Sequence, residues 1–184
     1  MKKSFLVVLV IAGVSLTHNQ SLSAQEERVT NKTFYSELGG PGLITSVHFD
    51  SRFKSNERLG FGYRLGIGFA YGDVQEKQAN QYGYYDYVSR TYYSIPAGLN
   101  YVLGKPNSAH TFEVGAGVAI LTRKVTLFNY RYDEKSGNAI GFFTFMYRLM
   151  PVNGGFSFRV GLTPIIGTSG DLYPMGAVGF GYIF

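Results

Sequence analysis

The chain has 184 residues with a formal charge of +5, no cysteine, and 24 glycines beside 15 tyrosines and 15 phenylalanines. The absence of cysteine excludes a disulfide framework, a thiolate metal site, a cysteine nucleophile and a lipidated cysteine, and the mild basic excess is not a nucleic-acid footprint. Short aromatic-rich strands separated by turns fit this composition, and no helical 3.6-residue stripe follows the N-terminal segment.

In chain order, Lys2 and Lys3 precede the apolar stretch 5–16, and a polar segment then leads to Leu22-Ser23-Ala24 before Gln25. This reads as a secretory signal peptide over residues 1–24 with cleavage near Ala24, because a membrane helix needs roughly 18 to 20 apolar residues. The mature part, 25–184, is long enough for one domain. It keeps 15 basic against 12 acidic residues, a formal +3.

Eight segments then read as strands: 32–39, 43–53, 59–72, 90–103, 110–122, 139–150, 156–167 and 175–184. The third is the clearest, since Leu59, Phe61, Tyr63, Leu65, Ile67, Phe69 and Tyr71 alternate with small or charged residues. The lengths suit tilted membrane strands, which need roughly 9 to 11 residues. Connectors 54–57, 104–109 and 152–155 are short, whereas 73–89 and 123–138 are long and fall on the opposite side with the tight turn 39–42 and with 168–174. That asymmetry is expected of short periplasmic turns and longer external loops, and an even strand count returns both ends to one side.

A barrel in lipid puts apolar residues outward and tolerates charge inside. The second segment then points Leu43, Thr45, Val47, Phe49, Ser51 and Phe53 outward, leaving Ser46, His48, Asp50 and Arg52 inside. The same parity places Arg64, Glu113, Arg148 and Arg159 inside with Glu37. Mutual pairing among Glu37, Asp50, Arg52, Arg64, Glu113, Arg148 and Arg159 offsets their burial cost. The last strand ends Val178, Phe180, Tyr182, Phe184 at every second place, with glycine and alanine dominating its other face.

The pattern resembles the small eight-stranded outer-membrane barrels of the OmpA/OmpX type. The likeness rests on the signal peptide and on Glu37-Leu38-Gly39-Gly40, Ile95-Pro96-Ala97-Gly98-Leu99-Asn100-Tyr101 and Glu113-Val114-Gly115-Ala116-Gly117. Gly155-Phe156-Ser157-Phe158-Arg159 and the terminal Tyr182-Ile183-Phe184 complete it. The resemblance implies an all-β, antiparallel, up-and-down transmembrane barrel in the outer membrane of a Gram-negative bacterium. It also implies that Tyr182 and Phe184 are read by the barrel-assembly machinery. No soluble peptidoglycan-binding domain follows the barrel here, so anchoring to the cell wall is not expected.

An eight-stranded interior is just wide enough for side chains to fill, so the inward charges are expected to plug the barrel and not to line an open pore. The glycine pairs at 60/62, 66/68 and 115/117 lie inside continuing alternations with no helix following, which a dinucleotide loop would need. They relieve crowding. Ser46, His48 and Asp50 are triad residue types on one inward face, roughly 6.5 to 7 Å apart, yet a straight row offers no evident oxyanion donors or substrate cleft. His110 and Glu113 are too few for a metal site, and no cofactor is implied.

Two external regions are candidates for contact. Tyr82, Tyr84, Tyr85, Tyr87, Tyr92 and Tyr93 crowd the second external connection, 73–89, and the strand leaving it, giving amphipathic area suited to sugars or proteins or an interfacial aromatic girdle. Arg123, Lys124 and Arg131 in the third, with Lys135 against Asp133 and Glu134, suit the phosphates of lipopolysaccharide. The leading expectation is a non-enzymatic, envelope-structural barrel whose partners are outer-membrane lipid, lipopolysaccharide and an extracellular ligand. An outer-membrane lipid-modifying hydrolase and a soluble periplasmic small-ligand-binding barrel are the alternatives.

Overall fold

The computed structural model describes residues 30–79, 85–125, 137–167 and 170–184, with side chains of all but 76–79 and 85–87. The proposed signal peptide, Tyr82, Tyr84 and Arg131 lie outside the described residues, as do the side chains of Tyr85 and Tyr87. The strands are β1 (Lys32–Gly39), β2 (Thr45–Arg52), β3 (Gly60–Ala79), β4 (Tyr85–Gly104), β5 (His110–Val125), β6 (Gly137–Leu149), β7 (Gly155–Leu162), β8 (Ile165–Ile166), β9 (Leu172–Tyr173) and β10 (Gly176–Ile183). Each wall strand pairs antiparallel with its sequence neighbour, β7 pairs with β10, and β10 returns to β1, closing an eight-stranded barrel. Closure removes every free sheet edge from the wall. The two-residue strands β8 and β9 prolong the β7–β10 hairpin past Thr163 and Pro164. Proline has no N–H to give the ladder there.

The outer face is apolar. Phe61, Leu65, Ile67, Leu99, Val118, Ile120, Leu162 and Phe180 are among many large residues that stay about half exposed. Tyr63, Tyr147 and Tyr182 ring the short-turn end of this band, and Tyr71 and Tyr93 mark the other. Tyr63 and Tyr71 are eight positions apart on β3, roughly 26 Å along the strand and about 20 Å in height at a tilt near 40°. That is close to the apolar band of about 25 Å that membrane barrels present.

The lumen is packed by a simple rule. Tyr35, His48, Arg52, Phe142, Met146 and Arg159 stand directly opposite Gly181, Gly66, Gly62, Gly117, Gly161 and Gly179 on the neighbouring strand. A Cβ at any of these glycines would run into the facing side chain. Three layers fill the interior. The polar one lies in the middle, an apolar cluster of Leu43, Val74, Tyr92, Leu121, Val125, Ile140, Phe142 and Ile165 covers it on the long-connection side, and Val102, Met150, Ile183 and Leu59 close the short-turn side.

Several sequence expectations need correction. The connection at 73–89 is mostly strand: β3 and β4 continue through Val74↔Val88 and Gln75↔Tyr87 to Ala79↔Tyr85, with one irregularity. Apolar alternation fades there because no apolar face is required beyond the band, while Val74, Tyr85, Tyr87 and Val88 keep strand propensity. Likewise β5 runs on to Val125 and β6 begins at Gly137. Tyr92 faces the lumen and is buried, so it does not join a surface cluster with Tyr93, whose ring meets Phe69 outside. Ser51 has the expected outward parity but is covered, lying between Phe49 and Phe53 and opposite Tyr63, whose rings close over it.

The largest departure is the first turn. Residues 39–43 do not stand outside the barrel: Gly40, Pro41, Gly42 and Leu43 are all buried, forming a 3₁₀ turn folded into the lumen. Leu43, expected to face outward, instead fills the upper apolar cluster. Its N–H donates to Gly40 O at 3.0 Å and closes the 3₁₀ turn, while its own φ of 73° and ψ of −80° are the dihedrals of the central residue of a γ-turn, strained for a residue with a Cβ. Burial of the leucine side chain opposes that strain, and Gly39 and Gly40, both at positive φ, let the chain double back.

Candidate functional site in the barrel lumen

All seven charged residues assigned to the interior lie in the lumen, with Glu37, Asp50 and Glu113 at most 1% exposed and the four arginines at most 4%. They come from β1, β2, β3, β5, β6 and β7, so the closed wall itself sets their spacing. Glu113 is the hub. It pairs with Arg148 at 2.7 Å and Arg159 at 3.0 Å, and accepts from Thr144 at 3.4 Å. Asp50 accepts from Arg52 at 2.5 Å and from Asn100 at 2.5 Å, with Arg148 at 3.5 Å. Arg52 also donates to Gly60 O at 2.9 Å. Glu37 meets the Nε of Arg159 at 3.2 Å, and that guanidinium lies over the Tyr35 ring at 4.3 Å.

Arg64 departs from this pattern. Among the described residues its nearest carboxylate oxygen is on Glu113 at 3.8 Å, beyond hydrogen-bond range, and it donates to Tyr35 OH at 3.4 Å. The guanidinium instead stacks over Phe142 at 4.8 Å. Asp50, its cross-strand partner, is occupied by Arg52, Asn100 and Arg148.

The Ser46, His48, Asp50 row does not assemble a hydrolytic relay. Ser46 Oγ lies 2.8 Å from His48 Nε2, but Asp50 is held by arginines and Asn100 and makes no contact with the imidazole. The carboxylate nearest His48 is Glu37, 3.9 Å from the same Nε2, so no acid orients Nδ1 as a triad requires. Ser46 and His48 are 3% and 1% exposed, and the imidazole stacks on Tyr35 at 4.9 Å. His110 and Glu113 point to opposite faces: His110 is exposed, with Nδ1 2.6 Å from Tyr147 OH, while Glu113 is buried. Among the described residues no group of His, Asp and Glu has the arrangement of a metal site.

At the short-turn end Arg58 does work that sequence reading missed. It is 8% exposed and spans the mouth, donating from Nη1 to Pro106 O at 2.8 Å and Ser108 O at 3.1 Å, and from Nη2 to Met150 O. One side chain thereby ties the β2–β3, β4–β5 and β6–β7 turns together. Asn31 and Thr30 add bonds to Lys54 O, Ser55 O and Val152 O from the start of β1. A groove of about 490 Å³ remains outside this closure, lined by Asn56, Arg58, Tyr101, Asn107 and Val152 among others. Nearby, in the β2–β3 turn, the Glu57 hydrogen bond holds the exposed Lys54 ammonium above its ordinary pKa. Parity could have flagged Asn100 as inward, but Arg58 acts on backbone carbonyls of distant turns and left no side-chain signature.

On the opposite end Arg123 and Lys124 are exposed at the top of β5. Tyr182 is 61% exposed on the outer face, and Phe184 N–H donates to Lys32 O at 2.9 Å, tying the chain end into the closing seam. No protein-family model matches this chain, and no curated protein matches it. Among solved structures it is similar to the N-terminal β-barrel domain of Pseudomonas aeruginosa OprF, with 15% identity over 85% of this chain and 98% of that one and a TM-score of 0.48. It is also similar to the Yersinia pestis outer membrane protein Ail in a phospholipid bilayer nanodisc, with 10% identity over 84% of this chain and 99% of that one and a TM-score of 0.47.

Proposed function

We propose that this chain is a non-enzymatic, integral outer-membrane barrel that is closed to diffusion and meets its surroundings through its long connections. The observation that carries the reading is the two-sided wall: a continuous apolar exterior bounded by tyrosines encloses a lumen of buried charge. A water-exposed protein does not leave so large an apolar surface uncovered, whereas lipid is the solvent for which this exterior is complementary. Two apolar layers and the Arg58 bridge obstruct the lumen on either side of the ion pairs, which supports a plug. The enclosed Ser46 and His48 support a structural role over hydrolysis.

In this reading the extended β3–β4 hairpin and the tyrosines around it form the contact surface, and Arg123 and Lys124 meet lipopolysaccharide phosphates. Tyr182 and Phe184 present the last strand to the assembly machinery. The test is an envelope fraction run on SDS gels with and without boiling, combined with planar-bilayer recording of the purified protein. A heat-dependent mobility change in the outer-membrane fraction and no steady conductance are expected. Release into the soluble fraction without a mobility change overturns the membrane barrel, and a steady open current overturns the plug.

A further inference from the structure

We propose that the lumen binds one small monovalent inorganic anion, of the halide class, against Arg64 and Arg159. The inference rests on the membrane-barrel reading, because it starts from charge removed from water. Among the described residues the central layer holds three carboxylates, Glu37, Asp50 and Glu113, against four guanidiniums, Arg52, Arg64, Arg148 and Arg159. Arginine stays protonated at any pH the protein meets, so the layer carries at least one positive charge in excess, and protonation of His48 or a carboxylate only enlarges it. An uncompensated charge inside a lipid-enclosed wall is costly, and a bound counter-ion is the direct remedy.

The excess has an address. Arg52, Arg148 and Arg159 each lie within 3.2 Å of a carboxylate oxygen, whereas Arg64 comes no nearer than 3.8 Å. Its Nη2, and Nη1 of Arg159, are buried nitrogens without a hydrogen-bond partner. The two guanidiniums share a neighbourhood, since both reach Glu113 Oε1 and both touch Tyr35. The Tyr35 oxygen accepts from Arg64 and keeps its own hydrogen to donate. Two N–H donors and a phenol around a surplus of one charge suit a single halide, while a divalent anion would overshoot the excess.

The test uses the chain refolded in detergent micelles in sodium gluconate, with chloride replacing gluconate at constant ionic strength. The temperature at which the unheated gel form converts to the heated form is the readout. Chloride is expected to raise it saturably, by roughly 3–6 °C at ten times the dissociation constant, and Arg64→Met to abolish the dependence while retaining the barrel's mobility. Crystals grown in bromide provide a readout that needs no variant, with an anomalous peak expected between Arg64 and Arg159. A conversion temperature indifferent to chloride, an equal dependence in Arg64→Met, or bromide confined to the outer surface as an adventitious ion only overturns the site. Absence of any heat-dependent mobility change overturns the membrane-barrel reading and the site with it, so the two failures are distinct.

Discussion

Glu113→Gln is the most informative single substitution, because the carboxylate is fully buried and joins two strands' arginines across the lumen. The amide is nearly isosteric, so packing against Thr144 is kept while the pairs to Arg148 at 2.7 Å and Arg159 at 3.0 Å lose their charge. Removing one partner of a buried pair typically costs about 3–5 kcal/mol, since the remaining charge is left uncompensated. Here three guanidiniums within 4 Å lose the same partner, which places the expected cost at the upper part of that range. With a urea slope of about 2 kcal/mol per M, the midpoint falls by roughly 2–2.5 M. The fraction of folded band on unheated gels, equilibrated in vesicles across urea, measures it without a tryptophan probe. Glu113→Gln/Arg148→Met restores the original excess of one positive charge and is expected to be more stable than Glu113→Gln alone, because deleting a whole buried pair is often nearly neutral. A single-variant loss under about 1 kcal/mol, or additive losses in the double variant, would refute the claim that these groups hold one another in place.

Three further outcomes follow from the packing. Leu43→Gly should be more stable than Leu43→Ala by about 1 kcal/mol in the same urea assay, reversing the ordinary order, because glycine escapes the positive-φ strain that alanine retains; both should fall below the parent through lost burial. Gly117→Ala should cost about 1–3 kcal/mol, as the new methyl meets the Ala97 carbonyl and the Phe142 ring, whereas Gly72→Ala, whose nearest neighbour would be 3.7 Å away, should stay within about 0.5 kcal/mol. Arg58→Met should lower stability by about 1–3 kcal/mol and make the short turns more susceptible to protease, and Arg58→Lys should not restore resistance, since one ammonium cannot reproduce a planar fork reaching two turns.

The wall was legible in the sequence because lipid and lumen impose opposite demands on alternate residues. That demand writes period two into 59–72 and sorts Asp50, Arg64, Glu113, Arg148 and Arg159 to one face. It stops at the edge of the apolar band, which is why β3 and β4 outrun the alternation that announced them. Parity also gives a face but no height and no neighbour. It could place Arg64 inside, yet not show that Asp50, directly across from it, is taken by Arg52 and Asn100. Leu43 misled for a related reason: an apolar residue next to a strand reads as lipid-facing, and only the positive φ of Gly39 and Gly40 turns it inward.

The inward turn and the charge layer depend on each other. Buried ion pairs gain strength as water is excluded, and lose it when water enters. The apolar cluster around Leu43 and the bridge of Arg58 supply that exclusion from opposite ends, while the glycines opposite Tyr35, His48, Arg52 and Arg159 let the large polar side chains lie flat enough to meet. Conduction through such a lumen requires more than parting one pair. An ion has to displace Leu43, cross a layer in which Glu113 is already shared among arginines, and break the carbonyl contacts of Arg58. The proposed anion is accordingly easier to hold than to pass. It meets the excess of guanidinium that the described residues place at the centre, with an apolar barrier on each side of it.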